Sequence, residues 1–308
     1  MVTSSVFYTT QQASESPYNY VPTEWICIFF VVSYSISTAI HMGQAFKYKL
    51  WWMIPTATFA GVLEIFGWSA RLWSSRSPQL LTPFEMQLVG TIIAPTPLVA
   101  ANFIILGKII TQLGPQFSRL TPNMYTVVFC SFDVICLTIQ AVGGAFAAQA
   151  VNQGQSPTFG GHIMLGGIAA QLFSIVIYVA LAAEFLLRRK YNAPFRHQDI
   201  RFGKGQRSIS KKMQRTISGL SFCTLCIFIR SVYRTVELAD GWSGLVISTE
   251  VYFNWLDGAF VTVAIYTLNI MHPGICLRLD TITHASQQAE DEADQDYYYR
   301  HRLPLRRG

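Results

Sequence analysis

The sequence predicts an all-α polytopic membrane protein with seven transmembrane helices, its N-terminus outside and its C-terminus cytoplasmic. Three observations carry that expectation. Of the 308 residues, 51% are hydrophobic and only 13% charged, against about 25% charged in a soluble domain. Seven apolar runs are long enough to cross a hydrocarbon core about 30 Å thick. The basic residues gather at alternate connections between those runs, the pattern of a chain that threads a membrane repeatedly.

The runs fall near residues 25–46, 52–73, 86–112, 123–148, 162–187, 214–238 and 249–271. Residues 1–24 are polar and aromatic, without the basic and apolar stretches of a cleavable signal peptide. Tyr18 and Tyr20 suit a membrane–water interface. The first span carries His41, read as a packing or interfacial residue. The second holds Glu64-Ile-Phe-Gly67-Trp-Ser-Ala-Arg71. Glu64 and Arg71 share a helical face but stand about 10 Å apart along the axis. Each is therefore expected to find its partner on a neighbouring helix, with Gly67 admitting a close backbone approach.

The third span contains Ala94-Pro95-Thr96-Pro97. Two prolines remove two backbone donors and kink or open the helix. Such breaks line cavities in transporters and are plain kinks elsewhere. The fourth span carries Asp133 near its middle, then Gln140 and Gly143-Gly144. The fifth offers Gly160-Gly161, Gly166-Gly167 and Gln171, small residues for close packing and an amide to bridge the contact. Glu184 beside Arg188 reads as a surface ion pair.

The sixth span bears Arg230-Ser-Val-Tyr-Arg234-Thr-Val-Glu237. Spacings of four and seven put all three charges on one helical face. Glu250 and Asp257, also seven apart, give the last span an acidic stripe. A charge near a bilayer centre costs roughly 2.5 kcal/mol or more, so these groups need answering. They are either ion pairs that join helices or a polar pocket for an amphiphilic ligand. Cys223-Thr-Leu-Cys226 lies inside the same span without a second pair and reads as packing. None of the six cysteines falls in an outer loop, so no extracellular disulfide is expected.

With the N-terminus outside, the inner connections and the tail take 19 of the 23 lysines and arginines, leaving Arg71, Arg76, Arg230 and Arg234 on the outer side. The net charge of +6 is this loop chemistry and no sign of nucleic acid. The connection 188–213 is the most basic. It is either the topology signal or a contact for anionic inner-leaflet lipid. Residues 273–308, past the turn His272-Pro-Gly274, read as a disordered cytoplasmic tail. The organisation expected is thus 1–24 outside, a seven-helix domain over 25–272, and the tail.

In that orientation Glu64, Arg71, Arg230, Arg234, Glu237, Glu250 and Asp257 all fall in the outer half of the bundle. Asp133 lies at or just inside the midplane. Five acids and three arginines would form a polar crater facing outward, with a surplus of two acids that a cationic amphiphile could balance. The candidate pocket is Glu64, Arg71, Asp133, Gln140, Gln171, Arg230, Arg234, Glu237, Glu250 and Asp257. Several classes are disfavoured. The chain has no GxxxxGK[ST] phosphate loop and no HExxH metal pair. The last span has no lysine for a retinal Schiff base, and the receptor-type acid-Arg-Tyr and Asn-Pro-x-x-Tyr motifs are missing. No catalytic residue, metal or cofactor is expected.

Glu64-xx-Gly67-xxx-Arg71, Asp133 with Gln140-xx-Gly143-Gly144, and Gly161 through Gly167 to Gln171 stand in order along the chain. Arg230-Ser-Val-Tyr-Arg234-xx-Glu237, Glu250, Asp257 and His272-Pro-Gly274 follow. This ordered set resembles the fungal RTA-like, or lipid-translocating exporter, family over about residues 18 to 280. The resemblance implies a seven-span fungal membrane protein, most naturally of the plasma membrane. It would be associated with sphingoid-base export, lipid asymmetry and resistance to toxic amphiphiles. Asn254-Trp255 departs from the family pattern, in which an aromatic pair with tyrosine is usual. The expected function is movement of amphiphilic lipids, sphingoid long-chain bases among them, with membrane lipids as the other partners and no enzymatic step. The alternative is a seven-helix lipid sensor that signals through the basic connection.

Overall fold

A computed structural model of the chain describes residues 16–195, 210–241 and 244–274. The readings made for residues 1–15, for most of the basic connection, for the tail beyond 274 and for Cys276 lie outside the described residues. Every regular element among the described residues is helical. We label them α1 (Glu24–Tyr48), α2 (Phe59–Arg76), α3 (Leu81–Ile93), α4 (Pro95–Leu113), α5 (Pro122–Asn152), α6 (Thr158–Lys190), α7 (Lys211–Asp240) and α8 (Glu250–Ile270).

Six stretches are long and apolar enough to cross a membrane: α1, the α3–α4 unit Leu81–Leu113, α5, α6, α7 and α8. The expected second span, 52–73, is helical along its length, through a 3-10 turn at Trp51–Met53, a π-helical turn at Ile54–Thr58 and then α2. It stands apart from the apolar six because α2 carries Glu64, Arg71 and Arg76 within 18 residues.

Local chemistry sets the helix ends. Ser210 accepts the Met213 amide at 3.1 Å as the N-cap of α7. Pro95 and Pro122 stand first in α4 and α5; at the start of α5, after the extended Thr121, a missing amide proton matters least. Gly114, at φ +117°, ends α4.

The helices close into a ring: α1 packs on α2, α2 on α3, α5 on α4 and α6, α7 on α6 and α8, and α8 returns to α1. The centre is filled by α4, whose Ala101, Phe103, Ile109 and Ile110 are all at most 1% exposed. Polarity is inverted relative to a soluble protein. Trp25, Phe29, Val32 and Ile36 form an exposed stripe along α1, while Glu64, Arg71, Arg234 and Asp257 are each 1% exposed. Charge inside and large apolar side chains outside is the arrangement lipid demands.

Glycines set two of the contacts. A Cβ on Gly90 would lie 2.8 Å from the Gly67 Cα, so α2 and α3 touch backbone to backbone. A Cβ on Gly160 would lie 2.3 Å from the Ala147 amide nitrogen, which fixes α5 against α6 in the same way.

Candidate functional site

Proline chemistry places the centre of the site. Through Ala94 the backbone keeps helical dihedrals, φ −54° and ψ −41°. The Thr91 carbonyl is therefore aimed at the amide of residue 95, which is Pro95 and has no proton to give. Arg230 supplies it instead: its Nη2 donates to the Thr91 oxygen at 2.6 Å, and its Nε donates to Asp257 Oδ1 at 2.7 Å. Arg234, one turn on, donates from Nε to the same Asp257 oxygen at 3.2 Å and from Nη2 to Thr91 Oγ1 at 2.7 Å. Its Nη1 reaches Glu237 Oε2 at 2.7 Å, and Tyr233 donates to Glu237 Oε1 at 2.8 Å.

Asp257 arrives from a π-helical stretch of α8, Phe253–Ala259. The wider turn sends Phe253, Asn254 and Asp257 inward and leaves Trp255 68% exposed. Single π turns of this kind recur at functional sites. The departure noted at Asn254-Trp255 thus divides into one inward amide and one outward indole.

A second layer covers this network. Arg71 donates to the Tyr20 hydroxyl at 2.8 Å and stands 3.6 Å from Glu250 Oε1. Glu250 in turn accepts from the Thr23 amide and hydroxyl, both at 2.7 Å. The Phe253 ring lies between two guanidinium groups, 4.4 Å from Arg71 Cζ and 5.2 Å from Arg234 Cζ. Such cation–π contacts gain strength when desolvated. Tyr18 packs against both Tyr20 and Phe84. Burial pushes the Tyr18 phenol up to about 12 against the opposing pull of Arg71, and burial likewise raises Tyr20. Both phenols stay protonated.

Glu64 is the exception. It is 1% exposed, and neither carboxyl oxygen makes a hydrogen bond among the described residues. Trp68 lies beside it, but the indole Nε1 does not reach it in hydrogen-bonding geometry and is itself without a partner. Asp257, Arg230 and Arg234 act on it only across space.

The remaining predicted residues form a separate cluster beyond the α3–α4 break. Gln140 on α5 donates to Gln171 on α6 at 2.7 Å, and Gln171 donates to Thr96 at 3.4 Å. Asp133, two turns along α5, is 4% exposed and makes no hydrogen bond or ion pair among the described residues. One apolar groove of about 460 Å³ runs between α3 and α5 and is lined in part by Gln140 and Glu85. Another, of about 560 Å³, lies between α4, α6 and α7.

The sequence places all ten candidate residues in one crater, and their hydrogen bonds part them. The ten residues divide into two groups, and the arginine network is a closed, internally paired core. The groups that sequence reasoning missed are Thr91, Tyr233, Tyr20, Thr23, Phe253 and Thr96. For Thr91 a signal existed, since it stands four residues before Pro95. As expected, Glu64 and Arg71 do not pair with each other, and Glu184 pairs at 2.7 Å with Arg188, with Arg119 joining at 2.6 Å. Cys223 and Cys226 are buried free thiols. Among the described residues no group of His, Cys, Asp and Glu could hold a metal.

Residues 57–280 match the family described as RTA1 like protein, a span that holds both clusters. The chain belongs to the RTA1-like family. This RTA1-like chain is 29% identical to the sphingoid long-chain base transporter RSB1 of Saccharomyces cerevisiae, over 84% of this chain and 73% of the relative. It is 26% identical to the lipid-translocating exporter-like protein RTA1 of Leptosphaeria maculans, over 91% of this chain and 56% of the relative. It is also 26% identical to protein RTA1 of S. cerevisiae, over 77% and 70% respectively. No solved structure matches it significantly. Family and apolar helices together make this an integral multi-pass membrane protein.

Proposed function

We propose that the chain is a transporter of amphiphilic lipids, sphingoid long-chain bases in particular, across a fungal plasma membrane. It would span that membrane seven times, with α2 and its preceding turns as the second span and the N-terminus outside. The observation that carries the reading is the pair of buried acids without partners among the described residues, Glu64 and Asp133, inside a bundle whose other buried acids and arginines are paired. Lipid makes an unanswered charge expensive, so such groups are kept for a purpose. A sphingoid base carries an ammonium group that either acid could meet and an alkyl chain suited to the apolar grooves. The relatives named as a sphingoid base transporter and a lipid-translocating exporter-like protein support the same class. In this reading Arg71, Arg230, Arg234, Glu237, Glu250 and Asp257 shape the pocket, Gln140 and Gln171 meet the hydroxyl groups, and no chemical conversion takes place. The basic connection 188–213 would rest on anionic lipid of the inner leaflet.

The test is release of a labelled sphingoid base from cells with and without the protein, alongside Glu64→Gln and Asp133→Asn variants at equal abundance. Faster release with the protein, lost in the variants, is expected. Equal release from all cells sinks the transport assignment and favours a lipid sensor. Chemically altered lipid in the medium would instead point to an enzyme.

A further inference from the structure

Charge counting around Glu64 carries one step more. The titratable groups that act on it across space are Tyr34 from α1, Arg230 and Arg234 from α7, and Asp257 from α8, with Trp68 of its own helix beside it. From α3, Gln87 and Thr91 are the buried polar groups and neither is charged. The only titratable side chain of α4 is Lys108, held over Trp52 far along the helix. The two arginines are matched by Asp257 and by Glu237 of α7, each in a direct ion pair. The core is therefore neutral without Glu64. An ionised Glu64 would add one uncompensated negative charge, buried and without a hydrogen bond, which the interior penalises heavily. Either a proton or a cation restores balance.

We propose that Glu64 exchanges one proton for one ammonium head group, so that transport is a proton–amphiphile antiport. The inference rests on the transport reading above and adds its energy source. The step balances. The Glu64 O–H bond breaks and its proton leaves to water, while the carboxylate accepts a hydrogen bond or ion pair from the incoming R–NH3+. The site is neutral before and after.

The test uses the purified full chain in detergent and a sphingoid base trimethylated at nitrogen, whose charge is fixed and which cannot itself yield a proton. Binding is followed in parallel with a pH indicator in weak buffer. Release of about one proton per bound base is expected from the unmodified chain and from Gly166→Ala, whose added Cβ meets nothing within 4 Å. Glu64→Gln, isosteric with the protonated acid, is expected to fold and release none, and Glu64→Asp to retain release. Binding without proton release by the unmodified chain overturns the exchange, as does equal release from Glu64→Gln. If cells still export the base in those cases, the transport reading stands without it. Absence of both binding and export removes the two together.

Discussion

Arg230 stands in for an amide proton that Pro95 cannot supply. Its guanidinium caps the Thr91 carbonyl at 2.6 Å and holds Asp257 at 2.7 Å, so one side chain repairs a helix and anchors a neighbouring one. The planar fork of arginine permits this double duty, and a lysine ammonium on its flexible stem does it poorly.

Arg230→Lys is therefore expected to lower the thermal stability of the purified protein. Pro95→Ala returns a donor to Thr91 and should make the lysine substitution less damaging. In a double-mutant cycle read by thermal unfolding in detergent, the coupling should be roughly 0.5–3 kcal/mol, with the double variant better than additive. Strict additivity would show that the Thr91 contact contributes nothing.

Much of the fold was legible in the sequence because lipid enforces simple rules. Helical runs matched the observed α1 and α3–α8 within a few residues, since an unpaired backbone group in hydrocarbon is too costly to permit other forms. Arg230, Arg234 and Glu237 were legible as one face through spacing alone. Their partners were not. Asp257 reaches both arginines only because Phe253–Ala259 winds as a π helix, and residue spacing assumes 3.6 per turn. Nor could spacing reveal that the α3–α4 break sends Thr91 to the arginines and Thr96 to Gln171, which splits one imagined crater into two clusters.

Glycine positions give a sharp contrast. Gly160→Ala puts a methyl group against the Ala147 backbone, whereas a Cβ on Gly166 meets nothing within 4 Å. The first change should cost about 1–3 kcal/mol by overpacking the α5–α6 contact. The second should be neutral or slightly stabilising in a helix interior. Melting temperatures of the two variants side by side decide the matter, and equal values would contradict the backbone contact.

Acid should weaken the α8 end of the bundle. His272 is fully buried, its Nδ1 accepts the Gly274 amide at 3.1 Å, and its ring lies 5.1 Å from that of Tyr48. Burial, helped by the nearby His41, depresses its pKa from 6.5 to about 4. The unfolded chain thus binds the proton more readily between those values, so stability falls as pH drops from 6.5 towards 4. Above 6.5 the contribution is fully present. Thermal unfolding at pH 7.5 and pH 5 should show the loss, and His272→Gln should reduce it. An identical pH dependence in that variant would place the effect elsewhere.

Asp133 separates a structural role from a functional one. A carboxyl that is 4% exposed and makes no hydrogen bond contributes little to holding α5 in place. Asp133→Asn should therefore leave the melting temperature unchanged or higher, as substitutions at strained functional groups often do. If the acid meets the ammonium of a moving lipid, losing that charge-assisted contact should slow release of labelled base about tenfold or more. Matched measurements of melting temperature and release on the same variant distinguish the cases. A fall in stability with release in proportion to the folded protein left would make Asp133 a packing residue.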